Sequence, residues 1–562
     1  MRGPTSPALT SSGSILIWLV ALFLIALGQQ LWVAWLYGSP VPIWDQWDQA
    51  RLVFRPWLDG NLRLGDLFIG DSNHRIVVTH LLDLGLISVN GRWDPLVQMT
   101  MNACLKAIFA AGLAWCLWHF FGRRHGWFIC FLLVPFFALP FDGENAIWGM
   151  NSLWYLIDIF GLTTIVGLGF ARAGSWRWWI GVAGAVLGLL TMASGMLAPV
   201  AVAGLVLLRL IRTHRWERGD RYTLGTCVIL MLLGVPMIAM PDNNRHWQAH
   251  SFLEFTAGLT HNLSWPFPGV PPMLFIVALP LILLLVFYLR PEFPAARAAE
   301  LVLVLALWSV LQSMMIAYGR ANYVAILVGS RYMGVFSLFA IASVFAAMLV
   351  GRSRGLRWDG MVLPLIFTGI LMVGLVRVSL TVVDDVLVAT RQWNLIAEER
   401  LETFFTTGDE RELFKDPTVR PSPATALEVV RDPKLSMILP PTCLAPGAAV
   451  TPGRLSPPAH GLLRASILIM TCGFALFLGG CIYGLRRETM GLAPGNPAGL
   501  IVLLALVMAL GVVWLKRDVR RETVERDLHE ELTRYFKERD PARSAIHGRK
   551  AEETAPANQF AN

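Results

Sequence analysis

Across 562 residues the chain is 55% hydrophobic and 15% charged, with a formal net charge of +8 and a mean hydropathy of +0.54. A soluble chain of this length carries nearer 25% charge, whereas here the apolar residues come in blocks of about 15 to 25, enough to cross a hydrocarbon core roughly 30 Å thick. The composition points to an all-α polytopic membrane protein and excludes a soluble enzyme, a disordered scaffold and a disulfide-stapled secreted domain.

About thirteen spans are expected, near 14–37, 97–121, 127–141, 153–171, 178–194, 196–212, 223–240, 270–289, 299–318, 334–351, 361–380, 461–485 and 497–515. The first lacks a cleavage pattern and exceeds a signal peptide in length, so it reads as a retained span. With the N-terminus in the cytoplasm, six inner loops carry the arginines: Arg123 and Arg124, Arg172 and Arg177, Arg209 to Arg221, Arg290 and Arg297, Arg352 to Arg357, and Arg486 and Arg487. The short connections 141–152 and 194–197 on the other side contain no Lys or Arg, which is the positive-inside pattern. The tail after Trp514 conflicts with it. Thirteen spans place the tail outside, yet it opens with Lys516, Arg517, Arg520 and Arg521.

Basic residues thus report orientation, and no basic stripe interleaved with aromatics suggests nucleic acid. Six of the seven cysteines lie in apolar blocks and none forms a CxxC pair, so neither a disulfide frame nor a zinc knuckle is expected.

Three outer segments are long. The first spans 38–95, the second about 241–269, and the third 381–460. The third begins with a charged helical stretch and continues into ten prolines between Pro417 and Pro458, which reads as extended packing or linker. The division expected is a catalytic membrane module over 1–380, an outer segment over 381–460, a transmembrane hairpin over 461–515 and a charged tail over 516–562.

The first outer segment opens Trp44-Asp45-Gln46-Trp47-Asp48. Asp45 and Asp48 share one helical face, flanked by Trp44 and Trp47. An interfacial helix with Trp at headgroup depth explains this pattern. A site for a sugar explains it equally, with a carboxylate taking a hydroxyl proton and the aromatic rings stacking on the sugar. Farther on, Asn73-His74-Arg75 opens an amphipathic run, where donors and the helix dipole favour an anion. An ordinary helix cap with a solvated Arg is the alternative. The second outer connection contains Asp142-Gly143-Glu144. Two acids around a glycine can turn toward one point, as ligands of a divalent cation or as a pair of bases. Arg320 and Arg331 flank the outer ends of two later spans, at headgroup depth where guanidinium groups bind phosphate.

Other features carry less. His246 and His250 have i, i+4 spacing but no intervening Glu, so a zinc site is not expected. Gly184 and Gly188 suggest close helix packing. Lys106 and Asp158 lie inside spans, where they pair or snorkel.

This layout resembles the GT-C superfold of integral membrane glycosyltransferases, in particular bacterial inner-membrane members that modify envelope polysaccharide, lipid or protein. The resemblance covers roughly residues 14–380. It implies a polyprenyl-phosphate-linked sugar as donor, an envelope acceptor on the periplasmic face and transfer with inversion. It maps the catalytic acid onto Asp45 or Asp48, and acceptor positioning or a divalent cation onto Asp142 and Glu144. The donor phosphate would meet His74, Arg75, Arg320 or Arg331. The sequence departs from the family in having Asp-Gln-Trp-Asp where many relatives carry adjacent acids, and in lacking a large C-terminal outer domain. The rival readings are a flippase or carrier of lipid-linked sugar, an envelope polymerase or ligase, and a non-enzymatic assembly subunit.

Overall fold

The computed structural model describes residues 12–68, 75–122, 126–238, 242–321, 329–353, 359–414, 423–445, 447–448, 451–489, 521–537 and 541–553. These residues are overwhelmingly helical and contain no strand. In chain order the helices are α1 (Ser12–Tyr37), α2 (Asp45–Gln49), α3 (Val77–Asn90), α4 (Pro95–Phe121) and α5 (Gly126–Ala138). Then come α6 (Ser152–Phe170), α7 (Trp176–Thr191), α8 (Leu197–Thr213), α9 (Arg218–Gly234) and α10 (Phe252–Leu263). They are followed by α11 (Pro272–Tyr288), α12 (Ala296–Gly319), α13 (Met333–Ser353), α14 (Asp359–Thr381) and α15 (Ala389–Thr407). The last are α16 (Pro423–Arg431), α17 (Ser456–Arg464), α18 (Ser466–Thr489), α19 (Arg521–Phe536) and α20 (Pro541–Glu553).

Seven of these helical segments are long and apolar enough to cross a membrane, and α17 with α18, bent by 57° between them, make an eighth if counted as one span. Four other expected spans are shorter: α5 has 13 residues, α7 has 16, and α9 and α11 have 17 each. The block at 497–515 lies outside the described residues.

Local chemistry sets the helix ends. The Asp94 carboxylate accepts the Leu96 N–H at 2.9 Å and Pro95 takes the first position of α4, where a missing N–H costs nothing. Ser175 caps α7 and Ser251 caps α10. Gly91 and Gly408 close α3 and α15 in the left-handed conformation, which carries no Cβ penalty for glycine.

The bundle packs around α13, whose residues from Val335 to Gly351 are all buried. Its Ala340, Ala342, Ala346 and Ala347 let neighbouring backbones approach, as small residues do between membrane helices. α6 and α7 pack backbone to backbone: a methyl on Gly181 would stand 2.6 Å from the Leu168 nitrogen. The Gly184 and Gly188 pair belongs to the same contact.

At one end of the bundle sits a cap with its own apolar core. Trp47, Phe54, Leu67, Leu84 and Trp93 pack there against Leu401, Phe404, Val429, Ile438 and Cys443. The first and third long segments are therefore one layer. The Pro-rich segment is tied down rather than loose: the Trp93 N–H donates to the Ile438 carbonyl at 2.8 Å, and Arg92 Nη1 to that of Leu439 at 2.7 Å. Asn90 Oδ1 accepts the Leu455 N–H at 2.7 Å.

The tail joins the same layer. Leu528, Leu532 and Phe536 of α19 pack on Leu395, Ile396 and Ala397 of α15. The Arg391 guanidinium, buried, bonds Glu398 at 2.8 Å and Glu525 at 2.5 Å, and Arg521 Nη1 donates to the Trp35 carbonyl at 3.1 Å. Arg521 and the helix it opens thus stand beside the end of α1 and the third segment.

Candidate functional site

The short connection between α5 and α6, residues 139–151, is the hub of the cap end, and three polar groups converge on it. Asn102 on α4 holds it in place, its amide donating to the Trp148 and Gly149 carbonyls, both at 3.1 Å.

The first group contains Glu144, which begins a helical turn, Glu144–Ile147. Its carboxylate accepts the Ser330 hydroxyl at 3.1 Å, the Arg331 backbone N–H at 3.0 Å and Arg331 Nη1 at 3.4 Å. The Arg331 guanidinium lies 5.8 Å over the Trp148 ring and 5.1 Å over that of Tyr332. Arg320 and Arg331 both interact with the Tyr332 hydroxyl. Trp44 meets Trp148 edge to face, with ring centroids 4.6 Å apart. Trp44 itself has a φ of +52°, a strained value for a bulky residue that persists only where surrounding packing enforces it.

The second group surrounds Asp142. Its carboxylate accepts Lys106 Nζ at 2.7 Å and the Tyr155 hydroxyl at 3.1 Å. Lys106 also donates to Gln29 and Gln30, each at 3.0 Å, and the Gln30 amide donates to the Tyr155 oxygen at 2.5 Å. Buried charges persist when paired and fully hydrogen-bonded, and this cluster supplies both conditions.

The third group is a polar seam under the cap. Gln46 donates to Gln98 at 3.0 Å, Trp93 Nε1 donates to the same Gln98 oxygen at 3.1 Å, and Gln49 donates to Asp83 at 2.7 Å. Burial pushes the Asp83 carboxyl up to about 7, against the opposing hydrogen bond from Gln49. On the same face of α3, burial drives His80 down to about 4, although its ring is bonded to the Leu67 carbonyl at 3.1 Å.

Around these groups several buried polar atoms lack a partner among the described residues: Trp148 Nε1, Asn145 Oδ1 and Asn102 Oδ1. Such atoms are rare in folded interiors unless water or a ligand completes them.

The expected residues fare differently. Asp45 begins α2, half-buried, next to Trp44. Asp48, with its side chain 38% exposed, is held by Arg51 at 3.5 Å and accepts the Thr425 hydroxyl at 3.4 Å. Trp47 is a correction: it is fully buried against Trp93, with Nε1 bonded to the Pro42 carbonyl at 2.7 Å, and it offers no ring face to a sugar. Asp142 and Glu144 do not turn toward one point, because the helical turn starting at Glu144 sends one acid toward Lys106 and the other toward Arg331. Among the described residues no three His, Cys, Asp or Glu side chains gather as a metal site. Lys106 pairs with Asp142 and not with Asp158. Arg75 is half-buried at the start of α3, and His74 lies outside the described residues.

Asp83, Ser330, Tyr155 and the glutamines were not singled out from sequence, though two signals existed. Gln29-Gln30 interrupts an otherwise apolar span, and Asp83 falls on the apolar face of α3 together with Leu84 and Ile87.

The arrangement brings Arg320 and Arg331 together at Tyr332, beside two edge-to-face tryptophans and the half-buried Asp45. In comparisons with protein-family models, curated proteins and solved structures, nothing matches this chain.

Proposed function

We propose that this protein is a GT-C-like membrane glycosyltransferase, with thirteen spans in a bacterial inner membrane, a cytoplasmic N-terminus and the cap facing the periplasm. It moves a sugar from a polyprenyl-phosphate donor to an envelope acceptor. The observation that carries this reading is the meeting of Trp44, Trp148, Glu144, Arg320 and Arg331 at the cap end, with Asp45 adjoining.

In this mechanism Asp45 removes the proton of an acceptor hydroxyl. The freed oxygen attacks the anomeric carbon from the face opposite the phosphate, and the bond from that carbon to the phosphate oxygen breaks. The lipid phosphate leaves with the electron pair and the centre inverts. Arg320 and Arg331 stabilise the charge gathering on the phosphate, which in a water-poor site contributes more than in bulk water. Asp45 is preferred to Asp48 as base because it adjoins Trp44 at the start of α2, whereas Asp48 faces Arg51 and Thr425. Trp44, half-buried and braced edge to face by Trp148, supplies the aromatic surface a sugar ring packs on. Glu144 positions Arg331.

A carrier of lipid-linked sugar is the second reading, favoured by the buried Lys106, Asp142 and Tyr155 cluster, since ionisable groups inside a membrane often mark transport paths. Reconstituted protein given labelled polyprenyl-phosphate sugar and an envelope acceptor fraction separates the two. Release of lipid phosphate with labelled acceptor, lost in Asp45→Asn at unchanged membrane abundance, supports the transferase. Movement of intact donor across the vesicle without cleavage supports the carrier, and full transfer by Asp45→Asn removes the assignment of the base.

A further inference from the structure

The other end of the bundle carries a second polar site that sugar transfer does not use. α6 has 19 residues, so its far end lies about 28 Å from the hub at 1.5 Å per residue. There a cleft of about 800 Å³ opens between the ends of α6, α8, α9 and α12. Five arginines line it, Arg172, Arg209, Arg215, Arg218 and Arg297, against three acids, Glu217, Asp220 and Glu300.

The floor is fixed and internally neutral. Arg209 gives Nε and Nη2 to Glu300 Oε2 at 3.0 and 2.7 Å, and the Tyr288 hydroxyl donates to Oε1 at 2.8 Å. The walls are not neutral. Arg172, Arg215 and Arg297 are exposed, and among the described residues none has a carboxylate partner. Arg218 leans on Tyr222, 5.8 Å over its ring.

The rim gives the depth of the cleft in the bilayer. Trp176 is 67% exposed and Trp179 58%, with Trp216 and Tyr222 also exposed, while Ile180, Ile211 and Ile229 present apolar surface nearby. Exposed Trp and Tyr above an apolar band mark the headgroup level. A soluble polyanion has no need of that rim.

We propose that this cleft binds the phosphodiester of an anionic phospholipid headgroup in the leaflet away from the cap. The unpaired guanidinium groups offer paired N–H donors to phosphate oxygens, as basic pockets between membrane helices do for anionic headgroups. Glu217 and Asp220 accept hydrogen bonds from headgroup hydroxyls, which favours a phosphoglycerol over a choline headgroup. The acyl chains lie along the apolar surface of α7 and α9.

The test uses the full chain in mixed detergent micelles, with retained lipid counted by native mass spectrometry. Phosphatidylglycerol and phosphatidylcholine of equal chain length are offered at equal concentration. The expected result is preferential retention of phosphatidylglycerol, falling about tenfold or more in Arg172→Gln/Arg215→Gln/Arg297→Gln, given the contribution of each basic side chain near an anionic surface. Arg411→Gln, at the cap, leaves retention unchanged. All four arginines are exposed, so circular dichroism and gel filtration of the variants should match the parent. Equal retention of the two lipids, or undiminished retention by the triple variant, overturns the proposal. Soluble glycerol phosphate that displaces phosphatidylglycerol at equal concentration also overturns the lipid assignment, since the cleft would then be a site for free phosphate.

Discussion

Glu144 and Arg331 lie 187 positions apart and meet twice, through the Arg331 backbone N–H at 3.0 Å and its guanidinium at 3.4 Å. The backbone contact fixes where the turn leading into α13 begins, and the side-chain contact holds a cation over the Trp148 ring. Glu144→Ala removes both and leaves the guanidinium without its carboxylate, which for a largely buried pair costs roughly 3 kcal/mol or more. The expected outcome is a clear fall in thermal stability in detergent. Arg331→Lys keeps the charge but loses the planar fork. It should retain most of the stability and lose most of the transfer activity, which a parallel melt and transfer assay would check.

Lys106 and Asp142 form a buried pair whose members need one another. Lys106→Met strands the Asp142 carboxylate and should cost about 3 to 5 kcal/mol. Lys106→Met combined with Asp142→Asn removes both charges and should recover a good part of that loss. A double-mutant cycle measured by chemical unfolding gives the coupling. Additive effects would show that the two side chains do not interact.

Asp83 makes stability depend on pH. Its folded carboxyl sits near 7, against 3.8 for an ordinary aspartate, so the folded state holds a proton that the unfolded chain releases in between. Its contribution to stability is complete below about 3.8, declines as pH rises toward 7 and is lost above that. His80, held near 4, acts in the opposite sense between about 4 and 6.5, so the comparison must be made at each pH against the parent. Asp83→Asn keeps a neutral side chain for Gln49 and should gain on the parent as pH rises, by on the order of 4 kcal/mol at pH 8. A constant difference from pH 4 to 8 would count against the raised value.

The tail packs beside the third segment, which fixes where it must be reached from. In a cysteine-free background, an impermeant maleimide should label Glu530→Cys and Arg411→Cys from one face of the membrane and Trp216→Cys from the other. Labelling of Glu530→Cys together with Trp216→Cys would contradict the docking of α19 on α15.

Much of this architecture was legible because apolar block length is a direct physical requirement of the bilayer. The seven long spans and the arginine-rich far loops follow from it. The shorter helices were harder, since α5, α7, α9 and α11 are apolar enough to suggest spans but are shorter than the seven long ones. At the site, Trp44, Glu144 and Arg331 were visible as residue types that suit a sugar and a phosphate, while their mutual contacts depend on chain segments far apart. Trp47 misled because alternation with acids looks the same whether a Trp faces a ligand or a core. The Pro-rich segment misled for a related reason: its value to the fold lies in backbone carbonyls, at Ile438 and Leu439, which composition does not display.

The docking of α19 on α15 has a consequence for biosynthesis. The cap draws on the first hundred residues, on the segment after α14 and on residues 521–553, so its final face cannot close until that late stretch has been made. Until then, Leu395 and Ile396 lack the cover of Leu528, Leu532 and Phe536. A chain terminated early would therefore carry a sticky, half-built cap, and quality-control proteases would find it there.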